Sequence, residues 1–151
     1  MSLGSGASAA REIIQFWSQL RLAGLIEGVY SGIARPAGAD DAVISTNVPK
    51  SRYPCTGWRL RNLDFSGGDP NFYTFNYGNS LIFGIQRTGS STMSPALSPE
   101  DAYVLDAKLD NGLPGAGKVV GIFWNAACTS ASPYRITTNS LECPLLFSNV
   151  F

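Results

Sequence analysis

The chain has 151 residues, a length suited to one domain with its own core, and its 11 basic and 11 acidic residues cancel, so nothing marks it as a nucleic-acid or anionic-membrane binder. It contains no histidine, which removes imidazole-based general base catalysis, the serine and cysteine triads that depend on it, and histidine-ligated zinc. Its three cysteines include no C-x-x-C pair, and it has no run of about eighteen apolar residues that would read as a membrane span.

Met1 to Gly6 has neither the basic start nor the apolar middle of a signal peptide and reads as an added leader, which leaves residues 7–151 as a single globular domain. Ser8 is placed to cap a helix beginning at Ala9. Ile13, Phe16, Trp17, Leu20 and then Ala23 or Gly24 follow the i, i+3, i+4, i+7 spacing of one buried stripe, while Arg11, Gln15, Ser18, Gln19 and Arg21 take the remaining surface. Gly28 and Gly32 offer stops and Pro36 ends any continuation. From Arg35 to Pro54 the composition turns to Ala, Gly, Asp, Ser, Asn and Pro, which describes a long surface loop.

Strands follow. Trp58, Leu60 and Asn62 alternate with Arg59 and Arg61, Phe72 to Tyr77 is rich in aromatics, and Ser80 to Gln86 and Lys118 to Trp124 are short apolar runs. Tyr77-Gly78-Asn79-Ser80 suits a hairpin turn between two of them. Ser98 followed by Pro99 and Asp101 forms an N-terminal cap, and Asn111-Gly112 supplies a left-handed stop, so a short helix is expected between strands. A short strand is expected from Tyr134 to Thr137, then an apolar tail from Pro144 to Phe151. The expected class is α+β: an N-terminal amphipathic helix packed on an antiparallel sheet, with a second short helix between strands.

Few residues in this plan carry chemistry. Gly112-x-x-x-x-Gly117-Lys118 satisfies most of a P-loop, but Val119 stands where the magnesium-binding hydroxyl belongs and the segment runs from helix to strand, the reverse of a P-loop. A glycine-rich turn is the expectation. Asp106 and Asp110 share a helix face near its C-terminus, where two carboxylates repel each other and oppose the dipole, so Lys108 or an arginine from another element is expected to compensate. Trp58, Tyr73, Tyr77, Tyr103, Trp124 and Tyr134 are candidates for an aromatic ligand platform, though aromatics in strands more often serve packing. Cys55 has no evident partner and is expected as a buried small hydrophobe. Cys128 and Cys143 bracket a Ser/Thr-rich segment, either as a bridge or as two buried thiols.

The stretch from Ser98 to Val119, the phrase Phe16 to Gly28 and the late cysteine pair together resemble the periplasmic part of the type IV pilin-like and type II secretion pseudopilin family. That resemblance implies a structural subunit with no catalytic residues, no cofactor and no metal, since the only acid from Leu113 onward is Glu142 and the calcium loop of that family is not carried over. It implies a helix joined to a sheet through Ile13, Phe16, Trp17 and Leu20, and a helix-stop-strand motif carried by Ser98, Asp101, Asp106, Asp110, Asn111 and Gly112. The same resemblance favours a Cys128–Cys143 disulfide with Cys55 left as a thiol. The implied partners are other pilin-like subunits, met through an upstream helix, and inner-membrane assembly machinery, with no nucleic acid. The implied location is a periplasmic or extracellular filament anchored in the inner membrane, the excised domain being monomeric. The competing class is a small secreted glycan- or peptide-binding adhesive module.

Overall fold

The computed structural model describes residues 7–34, 38, 40–63, 73, 76–122, 127–129 and 133–150, with backbone alone for 7–11 and 63. The expected leader Met1–Gly6, the stop at Pro36, Phe72, Thr74 and Phe75 of one expected strand, Phe123 and Trp124 of another, and the Arg11 side chain lie outside the described residues. The elements are α1 (Ala7–Leu22), β1 (Thr56–Leu63), β2 (Gly78–Ile85), α2 (Pro99–Leu109), β3 (Val119–Gly121) and β4 (Leu145–Phe147). The strands form one antiparallel sheet in the order β1-β2-β4-β3. The class is therefore α+β, with the N-terminal helix on the sheet.

Because side chains alternate along a strand, register assigns the two faces. Trp58, Leu60, Leu81, Phe83, Val119, Leu145 and Phe147 share one, and Arg59, Ile82, Val120 and Leu146 share the other. The helices lie on the first face: α1 contacts β1 and α2 contacts β3. Ile13, Ile14 and Trp17 of α1 are buried with Ala42, Val48 and Leu60, and Phe16 and Leu20 pack at the margin. At about 1.5–3 kcal/mol for each large side chain removed from water, this contact is a main source of stability. Ile14 was not in the expected stripe although it is fully buried; the apolar band is wider than one row of the helix.

Several expectations shift. α1 begins at Ala7, so Ser8 lies inside the helix, and after its last residue Leu22 it is closed by Gly24, whose φ of 71° reverses the chain while the Leu25 amide donates to the Leu20 carbonyl at 3.0 Å. Ala23 and Gly24 are exposed and take no part in the buried stripe. The expected hairpin turn at Tyr77–Ser80 is instead the entry to β2: Gly78 has φ 54°, yet it pairs with Leu63, and Asn79 pairs with Asn62 through the side chains at 2.9 Å. Positive φ at Gly78 was legible, but the pairing partner lies across the sheet. Tyr134 makes only an isolated bridge to Thr129, and Ile136 and Thr137 form a turn where a strand was expected.

The apolar tail proves to be an interior strand. β4 joins β2 to β3, and Leu145 and Leu146 are fully buried. The second face is covered too, by Tyr77, Ile122, Tyr73 and Met93. Arg59, on the same face, is 3% exposed, with Nη2 donating to Asp40 Oδ1 at 2.7 Å. Burial lowers its pKa to about 10, against the pull of Asp40, so the guanidinium remains charged at neutral pH.

Candidate functional site

The polar groups that sequence singles out gather where α2 ends and β3 begins. Ser98 sits in extended backbone with φ −67° and ψ 156°, and its Oγ accepts from the Asp101 amide at 3.1 Å. The Ser98 hydroxyl donates to Asp101 Oδ2 at 2.7 Å, so this cap closes on the hydroxyl as well as the helix amide. With Pro99 at the first helical position, the arrangement is worth about 1 kcal/mol to the helix. Asp101 and Ser98 thus use each other.

At the other end, Asp110 is the C-terminal cap, and its amide donates to the Asp106 carbonyl at 2.7 Å. Gly112 takes φ 73°, which lets the chain reverse and point its amide at Asp106 Oδ1, 3.0 Å away. The Leu113 amide donates to Asn111 Oδ1 at 2.7 Å. Asp110 Oδ2 accepts from the amides of both Lys118 and Val119. Each aspartate therefore draws a different part of the turn back onto the helix.

Tyr134 completes the cluster from 28 residues further along, its hydroxyl donating to Asp106 Oδ2 at 2.9 Å. Asp106 is fully buried, and burial raises its pKa, with the Tyr134, Gly112 and Asn111 hydrogen bonds acting the other way and the Asp110 charge adding to the rise. Burial and the adjacent Asp106 push the Tyr134 hydroxyl up strongly, which keeps it a phenol and a donor. The expected compensation by Lys108 or an arginine is not what the structure contains. Backbone amides and a phenol stabilise the two carboxylates, because the turn brings those donors within bonding distance while Lys108 faces solvent.

This geometry limits chemistry. In a phosphate-binding loop the amides before and after the lysine are free to meet an anion, whereas here the amides of Lys118 and Val119 are taken by Asp110. The segment is a turn that carries its own carboxylate. Asp106 accepts from three donors and has no exposed surface through which to exchange a proton with a substrate. Among the described residues no three Cys, Asp or Glu side chains gather as metal ligands.

Cys128 and Cys143 form a disulfide with Cα atoms 5.0 Å apart. Cys143 also exchanges backbone hydrogen bonds with Leu97, the residue before the Ser98 cap, and the Cys128 carbonyl accepts from the Arg135 amide. The bridge thereby fastens the loop bearing Tyr134 to the entrance of α2. Cys55 is a thiol but exposed, contrary to its expected burial, because it sits with φ 57° at the corner of the turn leading into β1.

Trp124 lies outside the described residues, and the described aromatic candidates serve different parts of the fold. Tyr77 is buried with its hydroxyl on the Tyr73 carbonyl, and Trp58 is wedged between Phe83 and Phe147 at centroid distances of 5.1 and 5.5 Å. Tyr103 and Tyr134 meet edge to face at 6.3 Å. They border a cavity of about 400 Å³ lined also by Gly112, Leu113, Pro133 and Ile136. Sequence reasoning missed the role of Tyr134 because no local pattern links a loop tyrosine to an aspartate so far upstream.

No family model matches the chain, and neither does any curated protein or solved structure.

Proposed function

We propose that this chain is a non-enzymatic structural subunit of a type IV pilus-like or type II secretion pseudopilus filament, joined to other pilin-like subunits through an upstream continuation of α1 and assembled at the inner membrane. The observation that carries the proposal is the packing of α1: an amphipathic helix lies on an antiparallel sheet by its Ile13, Ile14 and Trp17 face, with Gln15, Gln19 and Arg21 outward. A helix held in this way couples a globular domain rigidly to whatever precedes it. Two further features support the reading. The Cys128–Cys143 disulfide suits a compartment outside the cytoplasm, and the polar groups of the α2–β3 junction are spent on one another, which suits a building block better than a reaction centre.

The test is fractionation of the full-length gene product, followed by immunoblotting of inner-membrane, sheared-filament and soluble fractions. The protein is expected in the first two, and the isolated chain is expected to sediment as a monomer in dilute solution. A processed full-length protein found free in solution with a measurable catalytic turnover would overturn the proposal.

A further inference from the structure

Beyond α1 the chain runs in two apolar rows. Ile26, Tyr30 and Ala34 turn inward and pack against the core beneath α1. Leu22, Leu25, Val29 and Ile33 turn outward and are 70–76% exposed. Aliphatic side chains exposed singly are ordinary, but four within twelve residues, each more than two-thirds exposed, are a concentration of apolar surface, or ridge, of the kind that marks an interaction site. The ridge is held in place. The Ser31 amide donates to the Thr46 carbonyl at 2.8 Å, and Asn47 Nδ2 donates to the Ile33 carbonyl at 3.1 Å. That loop continues to Lys50, which bridges to Gly57, and Ile26 and Tyr30 lie against Trp58 and Leu81, so the ridge belongs to the β1–β2 end of the sheet.

The cavity beside Tyr103 and Tyr134 belongs to the opposite end. Its Leu113 belongs to the turn whose Pro114 carbonyl accepts from the Gly121 amide of β3 at 2.9 Å. Its lining residues Leu113 and Ile136 are half exposed. The ridge is tied to β1 and β2 and the concavity to β3, at the two ends of the strand order, so the two surfaces are separate parts of one copy. The two surfaces also carry opposite charges. Glu27 stands in the ridge between Leu25 and Val29, and Arg135 stands between the groove residues Tyr134 and Ile136; both are exposed, and neither has an ion-pair partner among the described residues.

We propose that the Leu22–Ile33 ridge of one copy seats in the Tyr103–Leu113–Ile136 groove of a second copy, with Glu27 facing Arg135. The contact is head-to-tail, and a repeated head-to-tail contact builds an open filament or a ring instead of a closed dimer. It rests on the filament reading above and specifies which surfaces of the globular domains touch. One ridge of four side chains belongs to the small, transient class of interfaces, below about 1,200 Å². It therefore contributes as one of several linked contacts and leaves the isolated chain monomeric when dilute.

Two versions of the chain, both carrying Cys55→Ser, test this: one has Leu25→Cys in the ridge and the other Leu113→Cys in the groove. The concentrated mixture is treated with a short bis-maleimide. The mixed dimer is expected to exceed each like-with-like dimer by about five-fold or more, because only the ridge-to-groove pairing brings the two thiols together. Glu27→Arg in the ridge version should lower its yield by about five-fold, and Arg135→Glu in the groove version should restore it. A mixed dimer at the statistical proportion, or one indifferent to both charge reversals, overturns the contact. If it is overturned while the full-length protein still fractionates with filaments, the contact alone fails. A strong mixed dimer from a protein that never reaches membrane or filaments keeps the contact and sinks the subunit reading.

Discussion

α1 meets the sheet over β1 with Ile13, Ile14 and Trp17 buried against Val48 and Leu60, whereas α2 meets β3 with smaller apolar groups, Ala102 and the half-buried Leu105 packing against Val119, Leu145 and Cys143, and adds the buried carboxylate of Asp106. The first contact is non-directional, so hydrophobic residues of similar volume should replace one another there with little loss. The second depends on hydrogen bonds aimed from Gly112 and Tyr134 at a single carboxylate, and on a disulfide that holds Tyr134 nearby. One sheet thus retains two helices by different means: large apolar side chains alone on one side, and a smaller apolar contact reinforced by directed polar bonds on the other.

The contrast is broken most severely at Trp17. Trp17→Ala removes a buried indole and leaves a cavity, and should cost about 3–5 kcal/mol in urea unfolding. A loss under about 1 kcal/mol would mean that α1 is not held by burial. Next in size is the disulfide. Its 15-residue separation predicts a loss of about 3 kcal/mol on reduction, and thiol titration of the denatured, unreduced protein should find Cys55 alone. Three reactive thiols in oxidatively prepared protein would refute the bridge.

Asp106 offers the finest test. Asp106→Asn leaves Tyr134 or Gly112 short of an acceptor inside the fold and should cost about 1–3 kcal/mol. The pH dependence has a definite sign. Burial raises the native pKa of Asp106 above that of the unfolded chain, so the native state holds the proton more tightly. The stabilising effect of that proton is fully present below the unfolded value, about 3.9, and is lost as pH climbs through the raised one. Urea midpoints of wild type and Asp106→Asn should therefore draw together as pH rises from about 4. A gap that widens over that range would show that the carboxylate is preferred charged in the fold.

Much of the junction was legible in sequence because its signals are local. Ser98, Pro99 and Asp101 announce a cap within four positions, and Asn111-Gly112 announces a reversal whose φ only glycine adopts easily. The Ile13, Phe16, Trp17, Leu20 stripe was legible for the same reason, since helical periodicity places those residues on one side whatever they meet. β4 was not. A strand of three residues is too short for alternation to show, and its identity rests on partners at Leu81–Phe83 and Val119–Gly121. Arg59 illustrates the same limit from another direction. The alternation correctly sets it opposite Trp58 and Leu60, but whether it meets water is decided by the chain folded over that face, including the loop that brings Asp40 to it.

By itself the sequence determined what neighbouring residues impose on one another: the amphipathic α1, the capped α2 and its glycine stop, the neutral charge balance and the lack of imidazole chemistry. Tertiary structure decided the strand order, the burial of Arg59, the grip of Tyr134 on Asp106 and the separation of the exposed apolar residues after α1 from the cavity beside Tyr103. The physical reason is range. Backbone preference and capping act over a few residues, while burial and a directed hydrogen bond across 28 positions exist only after the chain has closed those loops.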